Sequence, residues 1–399
     1  MLRWELKKII FSKIFIISLI LIIAFRLYDV LKMWNRGDEY RTSNGLFEEL
    51  YLNEDEYNDY AIPYYQNIKN ADVAILMNTE GMYLENAFAD MQEIKALVNA
   101  KKYSKSTYEV KMVDLVKKAA RKVDGDSSKY EVRYYSKYID TYNQRVEVEP
   151  VNNIGEYLNI IFSGKEIPFA IMLVWVTVMT AYVVKGQERK RFQGIYMTTP
   201  NGRRKGILTK LAAFGIILVA LELLCFVALI INAVTMYGFS FRVLFSAVQS
   251  APEYMYCPIH TSVIGIIFIS YVVKIIVYLM FMCITALIAY FIKAIPAILV
   301  SVLSGVLPVF LLVRMDKATY EASQLYSSIR QYFPPLLIDY SEYIIDFDYA
   351  RLFNFPVSRM VCVITVAFFV IMLCIVLLIL FAEKKNMEMG YGIKSRKNK

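Results

Sequence analysis

Five long apolar runs, near residues 167–184, 207–237, 262–291, 295–313 and 357–381, restrict this chain to very few folds. A helix needs about 20 residues to cross the hydrocarbon core of a bilayer. Helices and closed barrels alone satisfy every backbone N–H and C=O in lipid. A sixth segment, about 10–31, joins these five: Ile14 to Phe25 is apolar apart from Ser18, and Lys7, Lys8 and Lys13 precede it. That start resembles a secretory signal, but no small-x-small cleavage site follows. Arg26 and Asp29 follow instead, three apart and able to pair on one helix face. The expectation is an all-α polytopic membrane protein with six transmembrane helices. With 57% hydrophobic residues, 20% charged residues and a mean hydropathy of +0.41, an ordinary soluble multidomain protein is excluded.

The charges orient these helices. A net charge of +9 could suggest nucleic acid, but the cations lie next to the apolar runs, where they set topology and meet anionic lipid. No nucleic-acid partner is expected. The first residues, the 185–206 loop, the turn at Lys293 and the 384–399 tail are each basic, which places them and both termini on the cytoplasmic side. The 32–165 region and the 316–348 stretch are acid-rich and fall outside. The expected layout is therefore an N-terminal segment and first helix at 1–31, an extracytoplasmic domain at 32–165, helices two to six within 166–383, and the basic tail.

The 32–165 region is polar, rich in tyrosine, free of cysteine and long enough to fold by itself. It reads as mainly helical, with strands possible. Leu84, Phe88, Met91, Ile94, Leu97 and Val98 share one face of a helix over 82–98. Ser106 and Glu109 form a capping box for a second helix, with Met112, Val113, Val116, Ala120 and Val123 on its apolar face and Asp124-Gly125 as its stop. Glu131 to Ile139 has no clear period, so helix and strand both stay open. Its interleaved basic and aromatic residues suit either a ligand (glycan, peptide or lipid head group) or the packing of a small core. The 316–356 outer loop holds Pro334-Pro335 and apolar residues among acids, and reads either as short interfacial helices or as plain surface.

Little in the chain points to catalysis. His260 is the only histidine, no cysteine–histidine cluster has zinc spacing, and four of the five cysteines lie in apolar runs. No G-x-x-x-x-G-K-[ST] loop is present; Gly164-Lys165-Glu166 lacks both the leading glycine and the hydroxyl. No catalytic, cofactor or metal residues are assigned. Two charges stand inside apolar runs, Glu222 in the third helix and Lys274 in the fourth. An ionised group near the bilayer centre costs roughly 2.5–3.5 kcal/mol on insertion scales. They are expected to pair, or each to face the protein interior.

The 185–206 loop carries the strongest functional signal. Glu188 to Phe192 can carry a helix out of the membrane, Gly194 loosens the backbone, Pro200-Asn201-Gly202 ends the segment, and Arg203 to Lys205 launch the next helix. Together with the basic Trp4-Glu5-Leu6-Lys7-Lys8-Ile9 start, this resembles the ABC-2 (type-2 ABC exporter) permeases, whose coupling loop runs Glu…Gly…Thr/Ser-Pro…Arg…Lys. Here those positions are Glu188, Gly194, Thr199, Pro200, Arg203 and Lys210, with Arg189 and Arg191 adding charge. The resemblance covers the N-terminal segment and about 167–381; the shortest family members leave out the outer domain. It implies a bacterial plasma-membrane exporter subunit without enzyme activity of its own. Its implied partners are a separate ATP-binding subunit and a second permease copy or relative. A non-transporting mechanical or sensor role through the outer domain is the alternative.

Overall fold

A computed structural model of the chain describes residues 2–24, 41, 44–45, 47–48, 108–123, 129–144, 146–162, 167–186, 202–307 and 340–397. The helices among them are α1 (Leu2–Ile10), α2 (Lys13–Ala24), α3 (Tyr108–Ala120), α4 (Tyr130–Tyr142), α5 (Ile154–Phe162) and α6 (Ile167–Ala181). They continue with α7 (Gly202–Thr235), α8 (Phe241–Phe245), α9 (Val263–Phe291), α10 (Ala294–Ser301) and α11 (Arg359–Lys397). One antiparallel hairpin, β1 (Tyr349–Leu352) and β2 (Phe355–Ser358), precedes α11.

Among the described residues three helices, α7, α9 and α11, are long and apolar enough to cross a membrane. In their most apolar windows α9 is 67% buried, against 17% for α7 and 22% for α11. α9 is therefore the axis of the bundle, and its neighbours turn wide apolar faces outward, as lipid-facing helices do. The structure does not extend the count to six. The first two expected spans are described as shorter apolar helices, Lys13–Ala24 and Ile171–Lys185. The fifth is described to Leu307 and gives way after Ser301 to a π-turn, Val302–Val306.

Local chemistry sets the ends. Ser262 caps α9, its Oγ accepting from the Gly265 amide at 3.2 Å. Pro296 is tolerated in α10 because it sits in the first turn, where amides have no intrahelical acceptor. Gly305 lets the π-turn approach α9: a Cβ there would lie 3.0 Å from the Phe281 ring. Ser18, the polar residue in the first apolar run, accepts the Trp175 indole N–H at 3.0 Å and so ties α2 to α6. At the 290 end, Lys185 donates to the Tyr290 carbonyl at 3.1 Å and Tyr290 donates to the Phe381 carbonyl at 3.3 Å, joining α6, α9 and α11.

The opposite end carries a folded cap. Part of it is the α7–α9 connection, which the sequence reading leaves without structure: α8, two short 3-10 turns and a bridge between Ala247 and Ser262. Gln249, fully buried, donates to the carbonyls of Cys257 and Ile259 and holds this connection shut. The rest comes from α3, α4, α5 and the hairpin. The open tract at 131–139 is helical, within α4, and its tyrosines pack. Tyr134, Tyr138 and Tyr142 surround Phe347 at ring distances of 5.4, 4.9 and 6.0 Å, and Tyr349 stacks on Phe347 at 3.9 Å. Met255 belongs to the same core. The described part of the 32–165 region thus shares its core with the α7–α9 connection and the segment before α11.

Several sequence expectations shift. In α3 the buried residues are Tyr108, Met112 and Ala119, with Val116 packed beside them, whereas Val113 is exposed. Tyr108 is the reason: this large ring at i−4 from Met112 rotates the inward face away from Val113 and Ala120. Val357 and Ser358 end β2 instead of beginning the last helix, and that helix runs through the expected tail to Lys397. The 82–98 helix and the Ser106 cap lie outside the described residues.

Candidate functional site

The six loop residues Glu188, Arg189, Arg191, Gly194, Thr199 and Pro200 lie outside the described residues. Arg203 falls in the first turn of α7, its side chain outside the described set, and Lys210 sits half-buried two turns further on. What the structure does define is how the ends of this loop are held. On one side, α6 winds into a π-turn, Tyr182–Gly186, fixed by the Lys185 bond to α9. On the other, α7 begins at Gly202 and α1 packs along it. α1 buries Glu5 and Ile9 and exposes Leu2, Trp4 and Ile10, with Lys8 over the Trp4 ring at 5.0 Å. Amphipathic helices of this kind can lie in the plane of a membrane interface.

Glu222 and Lys274 are both buried, each 1% exposed, on the packed helices α7 and α9. Lys274 donates from Nζ to the Ile161 carbonyl at 3.0 Å and lies 5.2 Å from the Tyr271 ring centre. Ile161 is in the last turn of α5, where carbonyls lack intrahelical donors and the helix dipole is negative. The ammonium therefore caps α5 as well as being held by it. The sequence carried the signal for α5: Ile154, Tyr157, Leu158, Ile161 and Phe162 recur at i, i+3, i+4, i+7 and i+8, and all are buried. The helix was not expected, because its nine residues adjoin the longer apolar run of α6. α5 is anchored on every side. Tyr157 donates to the Leu229 carbonyl at 3.0 Å and packs on Tyr237 and Phe239; Phe162 packs on Tyr254 and Tyr340; Tyr254 donates to Asn159 at 2.6 Å.

A second polar centre, also unexpected, holds the 44–48 and 149–150 stretches to the α7–α9 connection. Arg242 of α8 grips Glu48 with two bonds, Nε to Oε1 at 2.9 Å and Nη2 to Oε2 at 2.6 Å, and donates to Glu149 at 2.8 Å. Ser240 adds a bond to Glu48 at 3.0 Å, and Asn44 donates to the Tyr237 carbonyl at 2.7 Å. Gly238 has φ +66, and a Cβ there would lie 3.3 Å from the Arg41 backbone, so glycine is needed for this close approach. Three distant stretches meet at one guanidinium. Burial pushes the Glu48 carboxyl up, but the Arg242 and Ser240 bonds outweigh it and hold the group below its ordinary value of 4.5. A depressed acid contributes stability above its unfolded pKa and loses it as pH falls through the folded one. Below about pH 4.5 the thermal midpoint in detergent should therefore fall, and Glu48→Gln should remove that part of the pH dependence. An unchanged pH profile in the variant would rule out this carboxylate as the cause.

The remaining reactive groups are quiet. Burial pushes the Cys257 thiol up to about 12, which leaves it protonated and inert. The hydroxyls of Tyr108 and Tyr138 are likewise pushed up to about 12 by burial, so they stay neutral. His260 meets the Thr141 carbonyl at 3.0 Å through Nε2. Among the described residues no cluster of histidine, cysteine or acids could hold a metal, and all five cysteines are free. The arrangement is an apolar bundle with a braced cap and two buried charges, Glu222 and Lys274, in its interior. No family model, no curated protein and no solved structure matches this chain.

Proposed function

We propose that this chain is the membrane-spanning subunit of an ATP-driven exporter of the ABC-2 kind, moving a hydrophobic or amphipathic substrate outward. The substrate is a peptide, a drug-like molecule or a lipid. A separate ATP-binding subunit supplies the energy, and a second permease copy or relative completes the pathway. The observation that carries this reading is the bracing of both ends of the 187–201 segment. α6 is locked to α9 through Lys185, and α7 is flanked by the amphipathic helix α1. A push on a loop held this way is delivered to α7 and α9, the helices that bear Glu222 and Lys274. Six spans, cytoplasmic termini and a bacterial plasma membrane belong to this reading.

Co-purification tests it. The chain should bring down an ATP-binding protein from its native membrane, and changing Glu188, Arg189 and Arg191 to alanine should lose that partner while the chain stays in the membrane. Retention of the partner by the triple variant would exclude the loop as the contact. A mechanical role draws on a different observation, the cap fixed to the α7–α9 connection through Arg242. Helix motion there would work the cap directly. ATP-dependent movement of substrate into sealed vesicles separates the two: the exporter reading requires it, and coupled ATP hydrolysis without it supports the mechanical one.

A further inference from the structure

The turn of the β-hairpin breaks the usual rules for hairpins. Phe353 and Asn354 occupy its two central positions with φ +45 and +70. Such a turn selects Asn-Gly or Asp-Gly, and a bulky side chain at positive φ is an outlier that costs stability. Phe353 gains nothing within the fold in return, being 89% exposed. Leu352 and Phe355 beside it are 47% and 57% exposed. Two arginines flank this apolar tip. Arg351 donates to Asn354 at 2.8 Å and lies over the Tyr130 ring at 5.2 Å, and Arg133 lies over Phe355 at 4.4 Å. Strain of this kind at an exposed aromatic points to a contact outside the chain.

The neighbouring element identifies that contact. β2 passes directly into α11, whose membrane-crossing stretch begins at Arg359. Arg359 is tied back to Asp348 at the base of the hairpin at 2.5 Å. Strands of four residues reach about 13 Å, so the tip stays within about that distance of the point where α11 enters the membrane. An aromatic tip with guanidinium groups beside it matches the boundary between acyl chains and anionic phosphates.

We propose that the hairpin is a second membrane contact, with Phe353 seated in the lipid headgroup layer and Arg351 and Arg133 facing lipid phosphates. This rests on α11 crossing the membrane and not on the exporter reading. The test places the photo-crosslinker p-benzoylphenylalanine at position 353 in the full chain. The protein is reconstituted in nanodiscs of phosphatidylethanolamine and phosphatidylglycerol, and adducts are read by mass. Position 369, an exposed phenylalanine midway along the Arg359–Ala382 stretch of α11, is the control for the span itself. The proposal expects lipid adducts at both positions, with phosphatidylglycerol enriched at 353. A lipid adduct at 369 alone overturns the hairpin contact and leaves the span standing. A protein adduct at 353 overturns it in favour of a docking partner, and no lipid adduct at either position brings down the membrane assignment of α11 together with the proposal.

Discussion

Replacing Lys274 by methionine is expected to destabilise the bundle by about 3–5 kcal/mol, the range found when one charge of a buried set is removed. The apolar side chain nearly fills the space, so little of the loss comes from packing. Most of it is electrostatic. The Ile161 carbonyl at the end of α5 loses its donor, and an unmet buried polar group alone costs about 1–3 kcal/mol. If the buried carboxyl of Glu222 on the neighbouring α7 pairs with this ammonium, it is then left without its counter-charge. The double variant Glu222→Gln/Lys274→Met removes both charges and should regain much of the loss, and the double reversal Glu222→Lys/Lys274→Glu should recover assembly lost in either single reversal. Thermal unfolding of the purified protein in detergent reads all of these. Strictly additive losses would show that the two charges act independently and that Lys274 serves α5 alone.

The second large effect is expected at Phe347. Phe→Ala changes in cores cost about 3–5 kcal/mol, and each well-placed ring pair adds about 0.5–1.5 kcal/mol to the burial term. Phe347 stands at the centre of four tyrosine rings from α4 and β1 and is 9% exposed. Phe347→Ala should therefore release α4 from the segment before α11 and loosen the cap as a unit. By hydrogen exchange, a loss of about 3 kcal/mol appears as roughly a 150-fold drop in protection of α3 and α4 amides, with α9 amides unchanged. Equal loss in α9 would mean that cap and bundle unfold together. No loss in α4 would mean that α3 and α4 form a core independent of Phe347.

How much of this was legible beforehand follows from the range of the interactions concerned. Apolar runs longer than about 20 residues are a local signal, and α7, α9 and α11 were readable to within a few residues at most of their ends. The far end of α11 was not, since the helix runs on past the expected Phe381 to Lys397. The face of α3 was misjudged because a period ranks apolar residues without knowing which ring meets a core built from elsewhere. Tyr108 finds Met112, Tyr142 and Phe347 only in three dimensions. The 187–201 loop remains a sequence argument, resting on residue types and order.

By itself the sequence determined the solvent of the long helices, apolar runs that suit lipid, and the cations beside those runs set the expectation of which ends face inward. Those follow from composition and spacing along the chain, which hydration and the positive-inside bias read without any fold. The tertiary structure alone decided the partners of the buried and strained groups. Lys274 meets the end of a helix 113 positions away in sequence, Arg242 joins acids 194 and 93 positions away, and Phe353 is left facing outward. Such pairings depend on where the backbone brings distant segments together, and no local pattern encodes that.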